Sequence, residues 1–252
     1  MRIVVCICQV PDIASVVTVV DGRIDLSRLS RVMNPYDEYA VEEAVRLKEL
    51  LPGSEVTVMT ATEESGRDLL RKALAMGADR AFELLSPSLE DSFQIASVLS
   101  GAIRERYADA LPDLVLCGRE SFDHQNAAVP AMLAGMLGIA FTGPVTAISA
   151  SREIVEFERE TESGIECLQA AYPLVVSAEK GLNIPRKTGI RQVMEARKKP
   201  IETISVSQPP ASLLRLQGVV PVSAEKNCRF ATNARELAGL LLRDGCIPKG
   251  EE

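Results

Sequence analysis

The sequence has 252 residues, with 35 acidic against 28 basic side chains, a net charge of −7, no tryptophan and 4 % aromatics. That length suits one large α/β domain, or one domain plus an arm, with enough core to need no covalent staples. The acidic balance argues against general binding to a phosphate backbone, the scarcity of aromatics argues against a stacking platform for single strands, and no apolar run reaches the ~18 residues of a membrane span.

RIVVCIC at 2–8 is a continuous β-branched run, predicted as a strand buried on both faces. Gln9, Pro11 and Asp12 follow at once, so this reads as a first strand and not as a secretion signal. VTVVDGRID at 17–25 places Asp21-Gly22 between alternating residues and predicts a hairpin. Next comes NPYDEYAVEEAVRLKE, 34–49, a helix with its own start signal. Asn34 is expected to cap the first turn through its side-chain oxygen, Pro35 suits the first helical position, and Asp37 and Glu38 favour the positive helix end. Tyr36, Ala40, Ala44, Leu47 and Leu51 repeat at helical spacing and predict one core-facing stripe.

EVTVMT at 55–60 is a predicted strand, 63–76 a helix closed by Gly77 in the left-handed conformation, and RAFEL at 80–84 a short strand. A helix near 91–107 leads to the strand DLVLC, 113–117, then to a loop at 118–124 and a helix over about 125–137. This alternation implies a parallel sheet with helices on both faces. Strands then follow in quick succession at 145–149, 153–160, 165–171 and 174–178, with a helix near 188–198 whose end carries Arg197, Lys198 and Lys199. Residues 203–231 carry Pro209-Pro210 and little periodicity, and read as an extended arm that needs a partner surface; a last helix spans about 233–244. The predicted organisation is an α/β domain over 1–202 and an arm with its helix over 203–252.

The six cysteines, at 6, 8, 117, 167, 228 and 246, show no CxxC pair and no zinc spacing. They read as reduced, mostly buried thiols of a cytoplasmic protein. His124 is the only histidine, lies on a polar loop and is read as solvated rather than catalytic. Neither G-x-G-x-x-G nor G-x-x-x-x-G-K-[ST] occurs. In an open parallel sheet, ligands bind outside the carboxyl ends of the strands. The candidate edges are therefore Cys6–Pro11, Thr60–Thr62 and Cys117–Val129, the last with a helix start expected near Gln125 as an anion site.

Several segments, in order along the chain, carry a family likeness. They are the helix at 34–49, ALAMGADRAF at 73–82, ERETESGIECLQAAYPLVVS at 158–177, GLNIPRKTGIRQVMEARKKPIE at 181–202 and RELAGLLLRDGCI at 235–247. Together they resemble the electron transfer flavoprotein beta subunit. The resemblance implies a Rossmann-like parallel sheet of the adenine nucleotide alpha hydrolase-like kind, with a C-terminal arm and final helix. It implies a heterodimer with an alpha subunit that holds the redox FAD. It also implies electrons passed from a flavin dehydrogenase, such as an acyl-CoA dehydrogenase, to a quinone reductase or another acceptor. No residue of this chain would then be catalytic, and neither nucleic acid nor membrane insertion would be involved.

The same likeness implies an adenine nucleotide in this chain, AMP in most members and a second FAD in NADH-dependent electron-bifurcating members. Cys6, Asn34, Ala61, Asp123, Ala127, Ala128 and Val129 occupy the matching positions. The loop departs from both family patterns: Asp123 remains, the polar Asn-Gln-Thr or Thr-x-Gln groups do not, and Pro130 removes one N–H donor. QVPD at 9–12 leans toward the bifurcating type and MNPYDEYAVEEA at 33–44 toward the AMP type. A stand-alone adenine-nucleotide sensor on the same fold is a further alternative. In the loop KGLNIPRKTGI, 180–190, the resemblance places a docking leucine for the dehydrogenase at Leu182, expected to stand exposed between Lys180 and Asn183.

Overall fold

A computed structural model describes residues 1–25, 27, 29–222 and 228–247. Seven parallel strands form the central sheet: β1 (Arg2–Cys6), β6 (Glu55–Thr62), β7 (Arg80–Leu85), β8 (Leu114–Gly118), β9 (Ala140–Val145), β13 (Leu174–Ala178) and β14 (Glu202–Ser205). Their spatial order is β14-β7-β6-β1-β8-β13-β9. The chain builds outward from β1 through β6 to β7, then crosses back to lay β8 on the other side of β1. The direction of winding therefore reverses between β1 and β8, which opens a crevice at their carboxyl ends.

Alternate strand residues supply two separate cores. Ile3, Val5, Val56, Val58, Leu114 and Leu116 pack with α1 (Pro35–Leu50) and α2 (Arg67–Met76). Val4, Cys6, Met59, Phe82, Val115 and Cys117 pack with α3 (Ser92–Arg106) and α4 (Val129–Leu137). Both faces are covered, so the unbroken β-branched runs are the expected strand sequence. α5 (Ile190–Lys198) lies beside α2, where the Arg71 guanidinium reaches the carbonyls of Ala196, at 2.7 Å, and Lys199. That cation meets the negative end of the helix.

Smaller ladders complete the first compact unit, Met1–Val17 with Asp25–Gln217. β2 (Gln9–Pro11) pairs with β5 (Arg31–Met33), and β10 (Ala147–Ala150), β11 (Ile154–Thr161) and β12 (Gly164–Ala171) form an antiparallel meander. The second unit joins residues 18–24 to 218–252. Its hairpin, β3 (Val19–Val20) and β4 (Arg23–Ile24), turns on Asp21 and Gly22, both at positive φ, as a two-residue turn of this type requires. Val219 N–H donates to the Gly22 carbonyl at 2.9 Å. α6 (Ala234–Arg243) is capped by Asn233, whose oxygen accepts from Glu236 N–H at 2.9 Å, and it buries no side chain.

Several boundaries differ from the sequence expectation. β14 lies across the expected junction at 202/203 and pairs along β7, so the extended arm begins later than 203. Edge strand β9 was not expected; α2 starts at Arg67 and not at 63, and the strand expected over 2–8 ends at Cys6. Gly77 does close α2, but at φ 129°, outside the left-handed helical region. A side chain there would put Cβ 2.8 Å from Val45 Cγ1, so close packing against α1 demands glycine as much as the turn does. No helix among the described residues is long and apolar enough to cross a membrane.

Candidate functional site

A cavity of about 460 Å³ lies at the carboxyl ends of β1, β6 and β8, where the winding reverses. Cys6, Ile7 and Cys8 line it from the first strand, Ala61 from β6, and Cys117 and Gly118 from β8. Its floor is fixed by the first turn of α1. The Asp37 carboxylate accepts from Cys8 N–H at 2.6 Å and from Gly118 N–H at 3.1 Å, and so ties the ends of two neighbouring strands together. Asn34 Nδ2 donates to Asp37 Oδ1 and to the Glu120 carbonyl, both at 2.9 Å, while its Oδ1 accepts from Phe122 N–H at 3.1 Å.

Asn34 therefore does not cap α1 through its side chain, contrary to expectation. Its amide is drawn away from the helix by the backbone of the loop after β8. Gly118 permits this knot: a Cβ there would lie 2.3 Å from Asp37 Oδ1 and 2.7 Å from Tyr36 Cβ. Burial pushes the Asp37 carboxyl up to about 6, against the lowering effect of the Cys8, Asn34 and Gly118 donors.

The thiols make a neutral wall. Cys6 and Cys117 are register partners on adjacent strands, and the Cys117 thiol is held well above its ordinary value, first by its hydrogen bond with Cys6 and then by burial. Burial and then Asp37 push Cys8 up as well. Cys8 and Cys117 therefore stay protonated near neutrality and present small, uncharged surfaces. Among the described residues, no cluster of three or more His, Cys, Asp or Glu could hold a metal.

The loop after β8 forms the opposite kind of surface. Gln125 and Ala127 take positive φ, 53° and 50°, a conformation uncommon outside glycine. Helix α4 begins at Val129 and not near Gln125, with Ala128 at its cap and Pro130 in the first turn. Among the described residues, the backbone N–H groups of Asn126, Ala127 and Ala128 donate to no protein acceptor. Free N–H groups along such a turn, leading into a helix start, form a concave surface suited to an anion.

Of the expected site residues, Cys6, Asn34, Ala61, Ala127, Ala128 and Val129 all line this cavity, whereas Asp123 is not on its wall. The Asp123 carboxylate accepts from His124 N–H at 2.9 Å on the exposed rim. His124 is exposed, as expected, although it borders the cavity. Sequence reasoning missed Asp37 and Asp91. Asp37 had been read only as a charge complementing the helix end. Asp91 had a usable signal, D-S-F-Q at 91–94: its oxygen accepts from Gln94 N–H at 2.8 Å while Gln94 Oε1 accepts from Glu90 N–H at 2.7 Å.

The expected exposure of Leu182 is corrected. The residue is 9 % exposed and belongs to the core cluster of α1 and β1. Its neighbours draw it inward: Asn183 Nδ2 donates to the Tyr39 carbonyl and to Glu43, both at 2.9 Å, and Arg186 spans Glu42 and Glu49 on α1. Between residues 180 and 198, the apolar side chains that do stand out are Ile184, at 89 %, and a stripe on α5 formed by Ile190, Val193 and Met194, at 85, 38 and 52 %. Positions i, i+3 and i+4 share one helix face.

The profile of the electron transfer flavoprotein domain matches residues 22–209. Curated relatives described as electron transfer flavoprotein subunit beta align over most of this chain. The protein from Syntrophomonas wolfei is 30 % identical over 221 residues, 88 % of this chain and 86 % of its own. The one from Mycobacterium tuberculosis is 36 % identical over 215 residues, 82 % of this chain and 80 % of its own. The one from Sus scrofa is 32 % identical over 228 residues, 88 % of each.

Proposed function

Because this chain belongs to the electron transfer flavoprotein family as a beta subunit, we propose that it pairs with an alpha subunit carrying the redox FAD and itself holds one adenine nucleotide, AMP. The complex would carry electrons from a flavin dehydrogenase, such as an acyl-CoA dehydrogenase, to a quinone reductase or another acceptor in the cytoplasm. The observation behind the nucleotide is the strand-end cavity with open N–H groups at Asn126, Ala127 and Ala128 on its wall. Those donors suit a phosphate and need none of the polar side chains that the loop lacks. Cys6, Ala61 and Val129 offer small apolar surfaces to a base, and Asn34 acts through the backbone it holds. The nucleotide supplies no redox chemistry; the residues around it bind, orient and exclude water.

Docking of the dehydrogenase is assigned to the Ile190, Val193 and Met194 stripe, braced by the loop that Arg186 and Asn183 tie to α1. Leu182 supports that loop from below. The second reading, a bifurcating subunit with its own FAD in the cavity, is favoured by one feature, the QVPD sequence at 9–12. Denaturing the purified heterodimer and analysing the released small molecules decides between them. One AMP and one FAD per dimer is the expected result. Two FAD per dimer would replace this reading with the second, and FAD alone would remove the nucleotide from this chain.

A further inference from the structure

We propose that residues 210–216 form a strap over the strand-end cavity and that Arg215, carried on it, is the residue that recognises the ligand's phosphate charge. This rests on the nucleotide reading above and goes beyond it by naming a specificity residue outside the loop after β8. The strap is fastened at a single buried carboxylate. Asp91 Oδ2 accepts from Ser212 Oγ at 2.8 Å, from Leu213 N–H at 2.5 Å and from Leu214 N–H at 3.1 Å. Its other oxygen caps α3. Gln94 Nε2 adds a bond to the Pro210 carbonyl at 2.8 Å. One turn of α3 thus holds the backbone on both sides of Ala211, and the next residues, Leu214, Arg215 and Leu216, reach the cavity wall.

The electrostatics of that wall single out Arg215. Its other charged side chains are acidic: Asp37, Glu90, Asp91 and Glu120. Arg215 is the one lysine or arginine among its described residues, and among those residues it makes neither an ion pair nor a side-chain hydrogen bond. A cavity lined by carboxylates repels a phosphate unless a cation offsets them. Backbone N–H groups supply dipoles, and an unpartnered guanidinium supplies the full charge and a fork matched to phosphate oxygens. Fastening the strap at Asp91 fixes where that charge enters the cavity, which an untethered surface arginine could not do.

The test uses the full heterodimer, freed of bound nucleotide, titrated calorimetrically with adenosine and with AMP. Arg215→Gln should weaken AMP by about ten- to a hundredfold, the scale of a charge-assisted hydrogen bond, and leave adenosine within about twofold. Arg215→Lys should recover part of the loss. Unchanged AMP binding in Arg215→Gln would overturn the assignment and leave the nucleotide reading intact. An equal loss for both ligands would also overturn it, because the strap would then be packing on the nucleoside. Failure of the unaltered heterodimer to bind either ligand would overturn this inference and the nucleotide reading together.

Discussion

Leu182→Ala and Ile190→Ala should behave as opposites. Leu182 is 9 % exposed, and its removal leaves a hole between the 180–190 loop and α1 that polar neighbours cannot fill, since Asn183 and Arg186 are already committed to Glu43, Glu42 and Glu49. Lost burial plus the residual cavity should cost about 2–5 kcal/mol. For a domain of this size, that lowers the melting temperature by about 4–20 °C. Ile190 is 85 % exposed at the first position of α5, so its truncation should change stability by no more than about 0.5 kcal/mol. Burying that side chain in a dehydrogenase pocket would contribute roughly 1.5–3 kcal/mol, or about ten- to 150-fold in apparent affinity. Melting temperature and dehydrogenase-driven flavin reduction, read on the same heterodimer preparations, separate the two effects. A Leu182→Ala protein that melts like the unaltered one yet couples poorly would refute the buried-support argument. Normal coupling in Ile190→Ala would remove the α5 stripe as the docking face.

A chain ending at Gln217 should keep the melting behaviour of the first unit but fail to co-purify with the alpha subunit, whereas one ending at Ile201 should also melt lower, having lost β14 and the Asp91 contacts; equal recovery of the alpha subunit by the 1–217 chain would show that the second unit is not what holds the partner. Asp37 gives a pH signature. Its folded value of about 6 lies above the ordinary 3.8, so the folded state holds the proton more tightly and the associated stability, full below 3.8, is lost as pH rises through 6. The difference in unfolding free energy between the unaltered chain and Asp37→Asn should therefore fall by about 3 kcal/mol across that window. A difference that stays level from pH 4 to 6.5 contradicts the buried, titrating carboxylate.

The strands at 2–6, 114–118 and 174–178 were legible because burial on both faces forces a nearly continuous apolar run, and the one at 55–62 because β-branched Val and Thr recur along it. Edge strands β9 and β14 were not. AFTGPV and ETIS carry no such run, and they become strands only because β13 and β7 offer a free ladder beside them. The cavity was legible from topology alone, since strand ends at a winding reversal converge wherever the sequence alternates in this way. The start of α4 was placed too early because the cap is Ala128, which gives no cap signal; the usable marker was Pro130, which belongs in a first turn. Leu182 misled because its immediate neighbours are polar, and local polarity reads as exposure until their partners on α1 are known.

The second unit joins a hairpin at 18–24 to a segment that starts at 218, through the bond from Val219 to Gly22. Roughly 190 residues separate the two halves, so at a synthesis rate of about 5–20 residues per second the hairpin waits some 10–40 s for its mate. Throughout that interval the Gly22 carbonyl is without the Val219 N–H that it accepts from in the finished fold, while the parallel sheet between the two halves is being laid down. The order of synthesis is thereby fixed: the strands of the sheet are made first, and this unit can close only last.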